Sequence, residues 1–222
     1  MFHCTSFSAA EKILESCKIK THIEMNSNVN IYPGVYFAIN GVYTSTHEDV
    51  IFVAGLELLN LKNYHINTCA IFGYIFNNTL FPFETNVNTL QALTNKLPEI
   101  VFHNGIDLHL IRGIVIRDTR KREYFTNKYK NFTFYKSIHD VFLSNQPVDI
   151  SNYNTEFFAY IPVNNKFRIY LNEINPQLNI IYPPTHINER YNYYEVTEDE
   201  FKKIFFEKFN CDYTKFIYKV IY

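Results

Sequence analysis

Apolar and polar positions along the first hundred residues switch between a helical and an extended period, so the chain opens as alternating strand and helix. Phe2-His3-Cys4-Thr5-Ser6 predicts a short strand. The spacing of Ser8-Ala9-Ala10-Glu11 then predicts a helix start, because a serine hydroxyl can accept from a first-turn amide while the glutamate reaches back. Ile13, Leu14 and Cys17 follow on one helical face, and Lys18 and Lys20 suit the negative end of the helix dipole. Asn26 to Asn30 is a polar turn, after which Tyr32-Pro33-Gly34 leads into Val35-Tyr36-Phe37-Ala38-Ile39, whose β-branched and aromatic content predicts a strand. Residues 46–60 read as a helix capped at Thr46, with Asp49 three positions on and Val50, Val53 and Ala54 on its apolar face. A strand is expected over residues 69–76 and a short helix over 89–96. Residues 99–103 and 110–116 are expected to pair with each other through a loop around Asn104-Gly105.

Past Asp118 the periodicity weakens. Residues 119–136 are basic and aromatic, residues 157–171 predict a hairpin turning at Asn164-Asn165, and Pro183-Pro184 interrupts regular structure. Thr197 and Glu200 have the spacing of a second capping box, opening an amphipathic helix that runs to Phe209. With no internal repeat and no linker composition, residues 119–222 are expected to form an extension packed on a core of residues 1–118.

Composition narrows this picture only modestly. The 222 residues are 47% hydrophobic and 19% charged, enough to bury a sizeable core. The net charge of -1 supplies no global attraction to nucleic acid or to an anionic membrane. No apolar run is long enough to cross a bilayer, and Glu11, Lys12 and Glu15 stand where a signal peptide needs its apolar stretch, so no membrane association is expected. The four cysteines, at 4, 17, 69 and 211, form no ligand-spaced cluster, which predicts no metal site and a cytoplasmic or other reducing intracellular compartment. The abundance of Tyr and Phe without Trp points to nucleotide composition rather than to a function.

Three short pieces carry the candidate chemistry: Phe2-His3-Cys4-Thr5-Ser6, Pro33-Gly34-Val35-Tyr36-Phe37-Ala38 and Pro98-Glu99-Ile100-Val101-Phe102. Their histidine, tyrosine and glutamate stand in the order and settings found in the ADP-ribosyltransferase superfamily, and the chain resembles the poly(ADP-ribose) polymerase-like catalytic domain over residues 1–116. The apolar segment Ile111 to Ile116 after the glutamate strand adds to the likeness. The resemblance implies an α+β fold with an ADP-ribosyltransferase-like split β-sheet core, packed helices and a C-terminal extension. It also implies NAD as substrate, with transfer of a single ADP-ribose to a protein or nucleic-acid acceptor and release of nicotinamide.

Removing nicotinamide builds positive charge on the ribose carbon it leaves, as in glycoside cleavage. The resemblance makes Glu99 the catalytic group that stabilises this charge and His3 the anchor for a ribose hydroxyl. The Cys4 backbone becomes the clamp on the nicotinamide amide, with Thr5 beside it, while Tyr36 and Tyr43 become aromatic faces for the nicotinamide ring. Two positions depart from the family pattern: Cys4 replaces a customary glycine, and Leu97 stands where arginine-modifying members carry a glutamate or glutamine, which disfavours arginine as acceptor. Two alternatives stay open. One is an inactive module of the same fold that binds NAD, ADP-ribose or a protein partner; the other is an NAD-dependent RNA 2'-phosphotransferase.

Bland readings stand beside these. His3 and Tyr36 taken singly are ordinary strand residues, and Glu99 is an exposed strand-end carboxylate. Cys4 is disfavoured as a nucleophile activated by His3, because adjacent strand residues point to opposite faces. His103 and His109 near Asp107 lack further ligands for a metal. The basic and aromatic run from Arg117 to Lys136 has the ingredients of a nucleic-acid surface, and equally those of a solvated face.

Overall fold

The computed structural model describes residues 1–29, 32–39, 49–61, 63–67, 70–71, 74–75, 99–151, 153, 158–171, 186–187 and 192–216. Its centre is a seven-stranded sheet built from β1 (Phe2–Thr5), β2 (Val35–Ala38), β3 (Val50–Val53), β4 (Tyr64–Asn67), β5 (Glu99–Phe102), β6 (Gly113–Val115) and β7 (Phe134–Tyr135). The spatial order is β7-β6-β3-β1-β2-β5-β4, with every pairing antiparallel except β6 with β7. A second, four-stranded antiparallel sheet combines β8 (Phe158–Val163), β9 (Lys166–Leu171), β10 (His186–Ile187) and β11 (Asn192–Thr197) in the order β8-β9-β11-β10. Two-residue ladders join Lys18–Ile19 to Ile106–Asp107 and Ala70–Ile71 to Tyr74–Ile75. The helices are α1 (Phe7–Ser16), α2 (Thr119–Lys128), α3 (Ile138–Ser144) and α4 (Glu198–Phe209).

The α+β class follows directly from these elements. The expected split pair of small sheets does not. The central sheet is continuous, although it is pinched at its middle, where β1 and β2 share the single register pair Phe2 with Ala38. Gly34 brings the chain into β2 hard against β5: a Cβ there would stand 2.5 Å from the Phe102 carbonyl oxygen. Only glycine lacks the atom that would clash.

Both faces of the sheet are covered, so its strands read as apolar runs rather than alternations. On one face Phe37, Phe52, Ile100 and Phe102 pack with Ala10 and Leu14 of α1 and with Phe125 and Phe134. On the other, Ile51, Val53 and Val115 meet Val141 of α3. Farther along that second face, Val101 and Tyr32 meet Tyr160, Ile169, Tyr194, Phe201 and Phe205 of the second sheet and α4. Phe125 and Phe134 show residues beyond 118 completing the first core, and β7 extends the central sheet itself.

Several local expectations change. Helix α1 is capped by Ser6, whose hydroxyl accepts from the Ala9 amide, rather than by Ser8. Glu11 instead accepts from Tyr124 and Lys128 of α2, a tertiary pairing that competes with any cap. Of the helix expected over 46–60, the Thr46 cap lies outside the described residues and the rest is a strand and a turn: Val50–Val53 is buried throughout between β1 and β6, and a 3-10 turn follows at Leu56–Leu61. Four consecutive apolar residues have no period that separates a buried strand from a helix. The segment expected to pair with 99–103 is β6, and it pairs with β3, because the Ile106–Asp107 bridge and the 3-10 turn Leu108–Leu110 carry the chain to the far side of the sheet. The strand expected over 69–76 is described as the two short pieces of one ladder. The helix expected over 89–96 lies outside the described residues.

Other expectations hold. The hairpin β8–β9 turns at Asn164 and Asn165, both with positive φ. The Thr197–Glu200 capping box is complete in both directions, and α4 ends at Phe209. Among the described residues, no helix is long and apolar enough to cross a membrane.

Candidate functional site

The strands that carry His3, Tyr36 and Glu99 are neighbours, in the order β1-β2-β5. Phe2 pairs with Ala38, and Ala38 pairs with Glu99, so all three residues lie within two positions of one row across the sheet. Tyr36 pairs with Val101, two residues from Glu99 on the same strand. Side chains two apart in a strand share a face, so the Tyr36 and Glu99 side chains project to the same side.

That proximity is electrostatic as well as geometric. Burial pushes the Tyr36 phenol well above its ordinary value, and the Glu99 carboxylate and the Tyr160 phenol push it further in the same direction. Tyr36 therefore stays protonated, and its hydroxyl donates to the Tyr32 carbonyl at 2.6 Å. Tyr32 in turn bonds His103 Nδ1 through its own hydroxyl, again at 2.6 Å. A buried polar thread thus runs from Tyr36 through Tyr32 to His103. No motif in the sequence marks it beyond the place of Tyr32 immediately before the turn into β2.

His3 takes a different position. Its register partner on β3 is Phe52, and its ring lies 5.6 Å from that of Phe37 and 6.2 Å from that of Phe52, both on the face opposite Tyr36 and Glu99. Where β1 and β2 part, the His3 ring reaches across, and its Nδ1 stands 2.9 Å from the Tyr36 carbonyl oxygen. A carbonyl oxygen only accepts, so Nδ1 carries the hydrogen and, in the neutral ring, Nε2 is the acceptor. Burial holds the imidazole below its ordinary pKa, and the bond to Tyr36 opposes that shift only in part. The ring is neutral near pH 7.

Cys4 pairs with Ile51 and packs with Val53, Val115 and Val141, on the face opposite the His3 ring. The alternation expected of adjacent strand residues is observed, and it separates thiol from imidazole. Thr5 pairs with Val50 at the end of β1. Tyr43 lies outside the described residues. The structure therefore gathers Tyr36 and Glu99 on one face and links His3 to them through the Tyr36 backbone, but it does not set all three side chains in one cleft.

His109 accepts or donates with Tyr153, whose hydroxyl also donates to Asp107, and His103 is engaged with Tyr32. Among the described residues no group of three or more His, Cys, Asp or Glu could hold a metal ion. In the basic and aromatic run, Lys128 is paired with Glu11, and Arg122 donates to the Ile116 carbonyl. No known protein family, characterised protein or solved structure matches the chain.

Proposed function

We propose that this chain is an ADP-ribosyltransferase that consumes NAD, releases nicotinamide and transfers ADP-ribose to a protein or nucleic-acid acceptor. The observation that carries the reading is the parting of β1 from β2 after Phe2, with His3 bridging to the Tyr36 carbonyl and Glu99 one strand farther on. Three features of that arrangement support it. The bond at Nδ1 leaves His3 Nε2 as the acceptor for a ribose hydroxyl. Cys4 follows His3 on β1, and the resemblance makes its backbone the clamp for a carboxamide. Glu99 beside the protonated Tyr36 phenol offers a negative group with which to stabilise a cationic ribose carbon.

In this reading the glycosidic C–N bond breaks with its electron pair leaving on nicotinamide, and the acceptor oxygen or nitrogen forms the new bond to the same carbon as its proton passes to water. Glu99 acts on the charge that develops between the two events. Replacing Glu99 with Gln preserves shape but removes the charge, so turnover falls about a hundredfold or more while NAD affinity changes little. Nicotinamide release and labelled ADP-ribose transfer, measured beside NAD affinity, test this. A Glu99→Gln protein that turns over as fast as wild type overturns the assignment.

A second reading is favoured by one specific observation: the His3 ring sides with Phe37 and Phe52, and the Tyr36 hydroxyl is already engaged by Tyr32. A site closed in this way suits a module that binds NAD or ADP-ribose, or a protein partner, without transfer. Binding of NAD with no nicotinamide released, across a broad panel of acceptors, selects it. RNA 2'-phosphotransfer gains no such support, since Lys18, Arg112 and Lys128 are each paired with a glutamate.

A further inference from the structure

A cavity of about 250 Å³ lies at the other end of β5 from Glu99, where the chain leaves Phe102 for His103, Asn104 and Gly105. Asn63 lines it. The residue is 1% exposed, and among the described residues neither its side-chain nitrogen nor its side-chain oxygen has a hydrogen-bond partner. Its backbone carbonyl accepts from the His103 amide, which fixes the residue beside the cavity. A buried amide with both ends unmet is a costly arrangement, and a bound molecule is one way to complete it.

We propose that this cavity binds a neutral nucleobase or nucleoside, read along its donor–acceptor edge by the Asn63 amide. The volume is many times the roughly 30 Å³ a single water occupies in the liquid, and it approaches the roughly 300 Å³ at which small-ligand pockets begin. An asparagine amide offers one donor and one acceptor side by side, the pattern that pairs with a base edge. Ile23, Leu61, Leu110 and Phe209 supply apolar wall for the faces of a flat ring.

The charged lining selects against anions. It holds one ammonium, Lys18, against two carboxylates, Glu24 and Asp107, and Lys18 is paired with Glu24. Both Glu24 oxygens are engaged, one by Lys18 and the other by the Thr21 amide. Asp107 accepts from Tyr153 through Oδ2 at 3.3 Å, which leaves Oδ1 to take a ligand N–H or hydroxyl. A phosphate or carboxylate would meet uncompensated negative charge here; a neutral base or its ribose hydroxyls would not.

The proposal is independent of NAD turnover. The test is ligand-observed NMR and thermal shift on the full chain with adenosine, guanosine, cytidine and uridine at millimolar concentration, together with adenosine 5'-monophosphate. At least one nucleoside binds, and the added phosphate brings no gain. Asn63→Leu, which keeps the branched shape but removes both amide atoms, weakens that nucleoside about tenfold or more. Asp107→Asn, at a half-buried position, weakens it as well. His3→Ala and Glu99→Gln leave it unchanged. No binding by any of the nucleosides overturns the proposal, as does binding that survives both Asn63→Leu and Asp107→Asn. Binding lost with a His3→Ala protein that still melts cooperatively overturns it too, since that assigns the nucleoside to the site at His3.

Discussion

His3 shows how a single buried ring couples chemistry to stability. Its folded pKa lies below the ordinary value of 6.5 because burial disfavours the imidazolium. The unfolded chain therefore binds the proton more readily than the folded one. The stability gained by keeping the ring neutral is complete above pH 6.5, and it is lost as the pH falls toward the folded pKa. His22 is shifted the same way by burial, so it adds to the slope. His3→Gln can still donate to the Tyr36 carbonyl but cannot titrate. Melting temperatures measured from pH 7.5 to 5 should fall less steeply in that variant than in wild type, and identical slopes would remove His3 from the acid response.

Among the elements, the turn after β3 is tied to the approach to β6 by the ion pair of Glu57 with Arg112. Arg112 Nε and one terminal nitrogen donate to the two Glu57 oxygens at 2.6 and 2.7 Å, and the Val148 amide donates to one of them. Burial alone would raise the Glu57 carboxyl, but the guanidinium and the backbone donors outweigh it and hold the group below its ordinary value. With side-chain exposures of 13% and 14%, the pair is screened little by solvent. Arg112→Ala strands the carboxylate and should destabilise the protein by about 3 to 5 kcal/mol, whereas replacing both partners with apolar residues of similar volume should cost far less. Urea unfolding of the two single variants and the double variant measures the coupling, and additive losses would show that the pair contributes nothing as a pair.

At the scale of the molecule, the second sheet and α4 are joined to the central sheet by an aromatic core. Phe167 and Phe201 stack with centroids 4.1 Å apart and planes 2° from parallel, and Tyr160 lies 4.9 Å from Phe201. Tyr32, just before β2, and Val101 of β5 belong to the same buried cluster. Phe201 has no exposed surface, so Phe201→Ala should cost about 3 to 5 kcal/mol, from lost burial and the cavity left behind. Because the cluster spans both sheets, amide exchange should quicken in β5 as well as in β9 and β11. Acceleration confined to β9, β11 and α4 would mean that the two sheets unfold separately.

What the sequence alone determined are the features held by neighbours in the chain. The Asn164-Asn165 turn, the Thr197–Glu200 cap, the strand after Gly34 and the strand opened by Glu99 all depend on local propensity and short-range hydrogen bonds, and all are present. Only the tertiary structure decided the rest. Val50–Val53 became a strand because β1 and β6 satisfy its backbone on both sides, an outcome no four-residue apolar run encodes. The partner of β6 and the surroundings of the buried, unmet amide of Asn63 depend on distant segments, Gly113 pairing with Val53 and the Asn63 carbonyl accepting from His103. The same is true of the site: the order His3, Tyr36, Glu99 is legible along the chain, but register assigns each side chain its face. A ladder fixes register by total burial and pairing across several strands, and that sum is not available to any stretch read by itself.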